Sequence, residues 1–217
     1  MSNGEPPGGS VQIQITAPQR FTPFRQFLCS AYGLLLFLPT IIVAIVAVSL
    51  MQLGVLTLVL PFIVLLIATF FLPFGFGNAY VARLAESLKP TNTEAMLVQM
   101  AFVPRLHYGF LGVMEDADDI GWLSCSDQGL RFHGDSVKLS IPLRQVRAVR
   151  RRAGGFRGLF LYWRTAVTVE GLEEFTELWF AERSSLVLPT SWKINKRLYE
   201  SVASKIPRSD GKKTSLT

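Results

Sequence analysis

The chain is poor in the side chains that most often carry chemistry, with two cysteines and two histidines in 217 residues. Cys29 and Cys125 form no CxxC pair, which excludes the common zinc and redox motifs and fits a reducing compartment. His107 and His133 belong to no recognisable triad, and the sequence contains no HExxH, GxSxG or glycine-rich phosphate loop. We therefore predict that the protein is not an enzyme and has no catalytic residue and no cofactor.

A calcium-binding pattern is also absent. The four closely spaced acidic residues Glu115, Asp116, Asp118 and Asp119 lack the alternation, central glycine and terminal glutamate of an EF-hand loop. We predict no metal site and interpret these residues as part of an exposed loop.

Charge is missing from one long stretch, since residues 26–82 contain no Asp, Glu, Lys or Arg and consist mainly of Leu, Ile, Val and Phe. About 20 helical residues cross a bilayer core of about 30 Å, so this stretch is long enough for two crossings. Gly54 lies near the middle and suits a sharp reversal. We therefore predict a transmembrane helical hairpin over residues 26–77, with arms at about Phe27–Leu50 and Val55–Phe76.

Basic residues flank this stretch on both sides, while the turn between the arms has none. The positive-inside rule then predicts a two-pass protein of the cytoplasmic (inner) membrane with both termini in the cytoplasm. A hairpin that enters and leaves one leaflet is the alternative geometry. Small residues of the first arm are expected to pack the two arms together or to dock them on another membrane subunit. They are Ser30, Gly33, Ala44 and Ala47.

Composition divides the rest of the chain into four segments. Residues 1–25 are rich in Gly, Pro, Ser and Gln and predict a disordered leader, although Val11–Thr16 alternates like a short strand that pairs with the domain or with another chain. Residues 78–93 predict a juxtamembrane amphipathic segment and a linker. Residues 94–207 have the length of one domain, and residues 208–217 are predicted to be a disordered tail.

Two-residue alternation interrupted by turn residues predicts an antiparallel all-β domain after Glu94. The strands are predicted at about Ala95–Val103, Ile120–Ser126, Gly129–His133, Val137–Ile141, Val146–Arg152, Leu159–Val169 and Glu174–Phe180. Thr190 or Ser191 is expected to cap a final helix, whose apolar stripe consists of Ile194, Leu198, Val202 and Ile206.

This order of elements resembles the pleckstrin-homology (PH) superfold, especially its bacterial PH-like and GRAM-like members. Two motifs carry the resemblance, SDQGLRF at residues 126–132 and IPLRQV at residues 141–146. The resemblance covers about Ala95–Ile206 and implies an all-β PH-like barrel of about seven antiparallel strands closed by the C-terminal helix. It also implies that a headgroup ligand would sit beside basic residues of the early strands, whereas the basic cluster of this chain comes later.

Between Ser136 and Val169 there are eight basic residues and no acidic one. We predict a cationic contact surface for a lipid or a protein partner, because arginine binds paired oxygens well. It consists of Arg144, Arg147, Arg150, Arg151, Arg152, Phe156 and Arg157, the last two at the tip of a mobile loop over Ala153–Gly158. The alternative is a solvated strand face paired with the acids of the next arm, which are Glu170, Glu173, Glu174, Glu177 and Glu182.

Together these patterns predict a membrane-anchored, non-enzymatic binding module that contacts a protein partner or anionic lipid at the cytoplasmic membrane surface. The alternative is a structural accessory subunit of a larger membrane complex. The formal net charge of +6 and the pI near 9.6 are modest for a nucleic-acid binder, so no nucleic-acid partner is expected.

Overall fold

The computed structural model describes residues 10–25, 73–91, 94–106, 117–157 and 160–206, together with eight isolated helical positions between 39 and 63. Its strands are β1 (Gln12–Ile15), β2 (Ala95–Val103), β3 (Asp119–Cys125), β4 (Gly129–Gly134), β5 (Val137–Pro142), β6 (Val146–Arg157), β7 (Phe160–Val169) and β8 (Glu177–Glu182). The helices are α1 (Pro73–Ala85), which continues into a 3₁₀ turn over Glu86–Leu88, and α2 (Leu188–Lys205). A second 3₁₀ turn, Leu143–Gln145, joins β5 to β6.

The eight strands form one antiparallel sheet in the order β1-β5-β4-β3-β2-β8-β7-β6. Strands β5 and β6 are second and last in this order, yet only the three residues Leu143–Gln145 connect them. Because so short a connection cannot span a flat sheet, the sheet must curl back on itself. The predicted seven-stranded barrel is therefore corrected to an eight-stranded, strongly bent sheet.

The concave side of the sheet encloses the main core. Val98 and Phe102 of β2 meet Leu130 of β4 and Phe180 of β8 there, and all four side chains are almost completely buried. Helix α2 contributes Leu198 and Val202, while Ile206 packs against the cluster from just beyond the helix. The apolar stripe of the C-terminal helix therefore covers the core, as the helical spacing predicts.

A smaller apolar cluster lies on the convex side of the sheet. Val81 and Ala85 of α1 pack there against Leu97 of β2 and Ile120 of β3, and Phe21 from the leader completes the cluster with no exposed surface. Helix α1 thus covers β2 and β3. Residues 78–93, which were predicted as a juxtamembrane amphipathic segment and a linker, include the end of this helix and the 3₁₀ turn.

A buried polar cluster connects the two helices to the end of β8. Glu182 is fully buried and accepts hydrogen bonds from the backbone N–H of Ser185 at 3.1 Å and from its hydroxyl. Asn195 of α2 accepts the backbone N–H of Glu182 at 3.0 Å. Asn78 of α1 donates to the Ser185 carbonyl at 2.6 Å and accepts from Arg183 at 3.3 Å. These bonds compensate for the burial of an acid and a base and hold α1 and α2 to one loop.

The leader is docked on the sheet. Strand β1 pairs with β5 from Gln12 opposite Ser140 to Ile15 opposite Val137, so the leader strand pairs with its own domain. Beyond β1, one carboxylate oxygen of Asp135 accepts the backbone N–H groups of Gln19, Arg20 and Phe21 at 2.6–2.9 Å. The carboxylate therefore holds Phe21 at its position in the convex cluster.

Among the residues that the structure describes, no helix combines the length and the apolar composition that a membrane crossing needs. Helix α1 has 13 residues, which corresponds to about 20 Å, and α2 carries Lys193, Lys196 and Arg197. This finding contradicts the predicted hairpin and the placement as a two-pass inner-membrane protein with cytoplasmic termini. Most of residues 26–72, including Ser30, Gly33, Ala44 and Ala47, lies outside the described residues.

Three local predictions differ from the structure. Strand β6 continues to Arg157, through the segment that was predicted as a mobile loop, and its register with β7 shifts between Ala153 and Phe156. Strand β8 begins at Glu177, three residues later than the alternation indicates. Helix α2 begins at Leu188 without a side-chain cap, because Pro189 suits the first turn of a helix and starts it earlier.

Two acids of the predicted exposed loop are buried instead. Asp118 accepts the backbone N–H of Phe102 at 2.7 Å, and Asp119 accepts those of Ser136 and Val137 at 2.9 and 2.6 Å. Gly134 faces Asp119 so closely that a β-carbon there would lie 2.1 Å from the carboxylate. These carboxylates satisfy amides at strand ends, so their role is structural.

We expect Asp135→Ala to loosen the leader, because three backbone N–H groups lose their common acceptor. The free energy of unfolding should fall by about 1–3 kcal/mol in urea titrations. Amide hydrogen exchange across β1 should accelerate, whereas the control Asp127→Ala, in an exposed turn, should leave it unchanged. Unchanged exchange in Asp135→Ala would show that strand pairing alone holds the leader.

Burial, only partly offset by hydrogen bonds from the amides of Ile120, Val137 and Ser136, raises the pKa of Asp119 from 3.8 to about 6. Because the folded state holds this proton more tightly, the contribution of Asp119 to stability should decrease as the pH rises through 4 to 6, by up to about 3 kcal/mol. Asp119→Asn should remove this part of the pH dependence in urea unfolding measured from pH 4 to 7. An equal slope in the variant would contradict the assignment.

Candidate functional site

The predicted contact residues are mostly on β6, which lies at one end of the strand order in the sheet. Strand alternation divides them between two faces. Arg150 and Arg152 share one face with Arg164 and Ala166 of β7, while Arg151 shares the other face with Trp163 and Thr165. Except for Arg164, the arginines named here are exposed.

On the first face, an acid and a tryptophan of β8 meet the arginines. Arg152 donates to Glu177 at 2.9 Å, and the indole N–H of Trp179 donates to the other oxygen of the same carboxylate at 2.8 Å. The guanidinium of Arg164, which is buried, lies 4.5 Å from the centroid of the Trp179 ring. Cations over the face of an indole are attracted by its quadrupole, so this cluster is rigid and internally neutralised in part.

The groups around Glu177 affect its pKa. Burial alone would raise it, but the hydrogen bonds from Trp179 and Arg152 and the positive charges of Arg152 and Arg150 outweigh burial. The pKa of Glu177 is therefore lower than usual. The carboxylate stays ionised and anchors the first face of the arginine strand.

On the second face, Arg151 lies over an exposed tryptophan. Its guanidinium carbon is 4.9 Å from the centroid of the Trp163 ring, and Trp163 is 42% exposed. Strand pairing places Trp163 opposite Ala153, whose small side chain leaves the ring open to solvent. A planar cation beside an exposed aromatic ring is a common composition of binding surfaces.

The other predicted residues are placed as follows. Arg147 donates to Glu170 at 2.7 Å in an ion pair with both side chains largely exposed. Arg144 is exposed in the turn between β5 and β6. Phe156 and Arg157 lie in β6, opposite Leu161 and Phe160 of β7, and only their backbone is described.

Part of the arginine strand therefore matches the alternative interpretation, a solvated strand face that is paired with acids of the next arm. Two acids of the next arm, Glu170 and Glu177, form ion pairs with the arginine strand, while Glu182 is buried in the polar cluster. Arg150 and Arg151 remain exposed on opposite faces of β6. Exposed ion pairs contribute little to stability.

The described residues offer no assembly for metal chemistry. None of their His, Cys, Asp and Glu side chains form a group of three or more that could hold a metal ion. Cys125 is a free thiol whose pKa is raised by burial, which makes it a poor nucleophile.

A second surface was missed by the sequence analysis. A groove of about 920 Å³ crosses β1, β5, β4 and β3 on the convex side of the sheet. Its signal in the sequence is the polar half of each alternating strand, for example Arg131 and His133 of β4. These residues are far apart in the chain, so only the strand register reveals that they share one surface.

The pKa of Glu177 tests the geometry of the first face. Arg152→Gln should raise it toward the ordinary value, because a hydrogen bond and a positive charge are lost. The matched change Arg147→Gln should raise the pKa of Glu170 and leave that of Glu177 unchanged. Carboxyl carbon NMR titration of both variants would measure this. Equal shifts of Glu177 in both variants would contradict the pairing.

Comparison of the chain with protein-family models, with curated proteins and with solved structures finds no match. A function can therefore be inferred only from the residues and the geometry described above.

Proposed function

We propose that the protein is a non-enzymatic binding module whose β6 strand takes an acidic, extended segment of a protein partner. The observation that carries the proposal is the position of β6 at the end of the sheet with exposed arginines on both faces. Within the described residues β6 has one strand neighbour, β7. Binding in this way requires that the backbone groups of the other edge of β6 are open to a further strand. An added strand gains main-chain hydrogen bonds, and its alternating side chains meet both faces.

The charges and the exposed aromatic ring near β6 favour binding of a partner over a role that only prevents unwanted strand pairing at this edge. Proteins place charges on edge strands to prevent unwanted pairing, and arginines alone would serve that purpose. An exposed tryptophan does not, because apolar surface at an edge promotes association. The pairing of Arg151 with the exposed Trp163 therefore supports a partner that is acidic and carries apolar side chains.

We further propose that residues 94–206 are a PH-like domain. Seven consecutive strands, β2 to β8, followed by the core-covering helix α2, support the resemblance indicated by the 126–132 and 141–146 motifs. The strong bend that the Leu143–Gln145 connection imposes supports it as well. A PH-like fold by itself identifies no ligand, so the partner is argued from the arginine strand.

The proposal is tested with the full chain and two labelled twelve-residue peptides, one alternating Glu with Val and one alternating Lys with Val. Fluorescence anisotropy should show binding of the Glu peptide and a marked decrease of its affinity with added salt. Arg150→Glu combined with Arg151→Glu should weaken binding by at least about tenfold, because attraction becomes repulsion on both faces.

The matched control reverses two exposed charges of α2, Lys193→Glu with Lys196→Glu, and should bind the Glu peptide like the original chain. Equal binding of the two peptides, or equal loss in both double variants, would overturn the proposal. Binding of anionic vesicles that requires Arg150 and Arg151, without any binding of the Glu peptide, would assign the surface to lipid instead.

A further inference from the structure

The groove on the convex side of the sheet is built by two rows of cross-strand neighbours. Strand register aligns Gln12, Ser140, Arg131 and Ser124 in the first row, one from each of β1, β5, β4 and β3. The second row runs parallel to it and consists of Gln14, Lys138, His133 and Trp122. Directly opposite residues lie about 5 Å apart, so each row is a continuous strip of side chains.

More basic than acidic side chains line the groove. Arg131, Lys138 and Arg144 line it, and the carboxylate in the described lining, Asp127, forms an ion pair with Lys205 of α2. Arg131 and Lys138 are diagonal neighbours on β4 and β5, a separation of about 7–8 Å that their long side chains can close around one anion. The groove therefore has a positive centre.

His133 lies directly opposite Lys138 and beside Trp122. Burial lowers its pKa, and the positive charge of Lys138 lowers it further. The imidazole is therefore neutral at pH 7 and can donate one hydrogen bond to an anion without repelling the neighbouring cations. An anion that offsets the charge of Lys138 would raise the pKa of His133.

Trp122 ends the second row. Its indole N–H donates to the carbonyl of Ala85 at 2.7 Å, which fixes the ring, and the Lys89 ammonium lies 5.2 Å from the ring centroid. The half-buried indole lines the groove two residues from Ser124. The indole packs against the cluster beneath α1 on its inner side. A planar ring would pack against the part of the indole that α1 and Lys89 leave uncovered, while an attached anionic group reaches Arg131.

We propose that this groove binds a small phosphorylated ligand with a planar ring, of which a nucleoside monophosphate is the simplest example. The phosphate lies between Arg131 and Lys138 with His133 as a further donor, and the ring packs against Trp122. The hydroxyls of Ser124 and Ser140 and the amides of Gln12 and Gln14 supply neutral hydrogen bonds around it.

The composition of the groove suits a small ligand, although the groove is largely open to solvent. A volume of about 920 Å³ is in the range of small-molecule sites, and the lining combines a few charges and neutral donors with apolar side chains and the aromatic rings of Trp122 and Phe132. This site is separate from the β6 surface, and the inference does not depend on the proposed protein partner.

The test titrates the full chain with adenosine 5′-monophosphate and follows the ring protons of His133 by NMR. We expect saturable shifts and an upward movement of the His133 pKa in the complex. Arg131→Gln and Lys138→Gln should each weaken binding by at least about tenfold, because each removes a charged hydrogen bond to the phosphate. The control Lys193→Gln, on exposed α2, should bind normally, and circular dichroism would confirm that each variant is folded.

Adenosine and inorganic phosphate separate the two parts of the ligand, and each should bind at least about tenfold more weakly than the monophosphate. Equal binding of inorganic phosphate, or equal weakening by Lys193→Gln, would overturn the proposal. Binding of phosphatidic acid vesicles without binding of the monophosphate would also overturn it. Because Arg150 and Arg151 lie outside the groove, their double reversal should leave monophosphate binding unchanged, so the two proposals can fail separately.

Discussion

The structure depends above all on the burial of β2 on both of its faces. Val98 and Phe102 point into the main core, while Leu97 points into the convex cluster beneath α1. The same strand pairs with β3 on one side and β8 on the other, and so joins the two halves of the sheet. A strand that is buried on both faces and paired at both edges leaves its neighbours little freedom, because their register and distance follow from it.

Buried and exposed charged side chains make different contacts in this fold. Asp118, Asp119 and Glu182 are buried, and each accepts hydrogen bonds from backbone amides where strands end. Asp135, half-buried, does the same for the leader. The basic side chains at the convex groove and along β6 remain largely exposed. The buried acids thus stabilise the connections of the sheet, whereas exposed arginines and lysines form the two surfaces for which binding is proposed.

Much of the strand pattern was predictable, because alternation is a local property. The bounds of β2 agree with the alternation, and those of β3, β4 and β5 differ from it by one residue. The extent of β6 was not predictable, since Gly154 and Gly155 look like loop residues while pairing with β7 keeps this segment extended. Asp119 looked like an exposed acid because its acceptor role depends on the distant Ser136 and Val137.

Local sequence patterns are enough to predict that an antiparallel β domain with a final amphipathic helix follows Glu94, and that its middle strands carry an excess of arginine. Both properties depend on residues that are close together in the chain. Three other features appear only in the folded chain: the leader extends the sheet beside β5, Phe21 completes the convex cluster, and Arg131, Lys138 and Trp122 share one groove. These relations join distant parts of the chain, and they follow from strand register and burial, which no local pattern specifies.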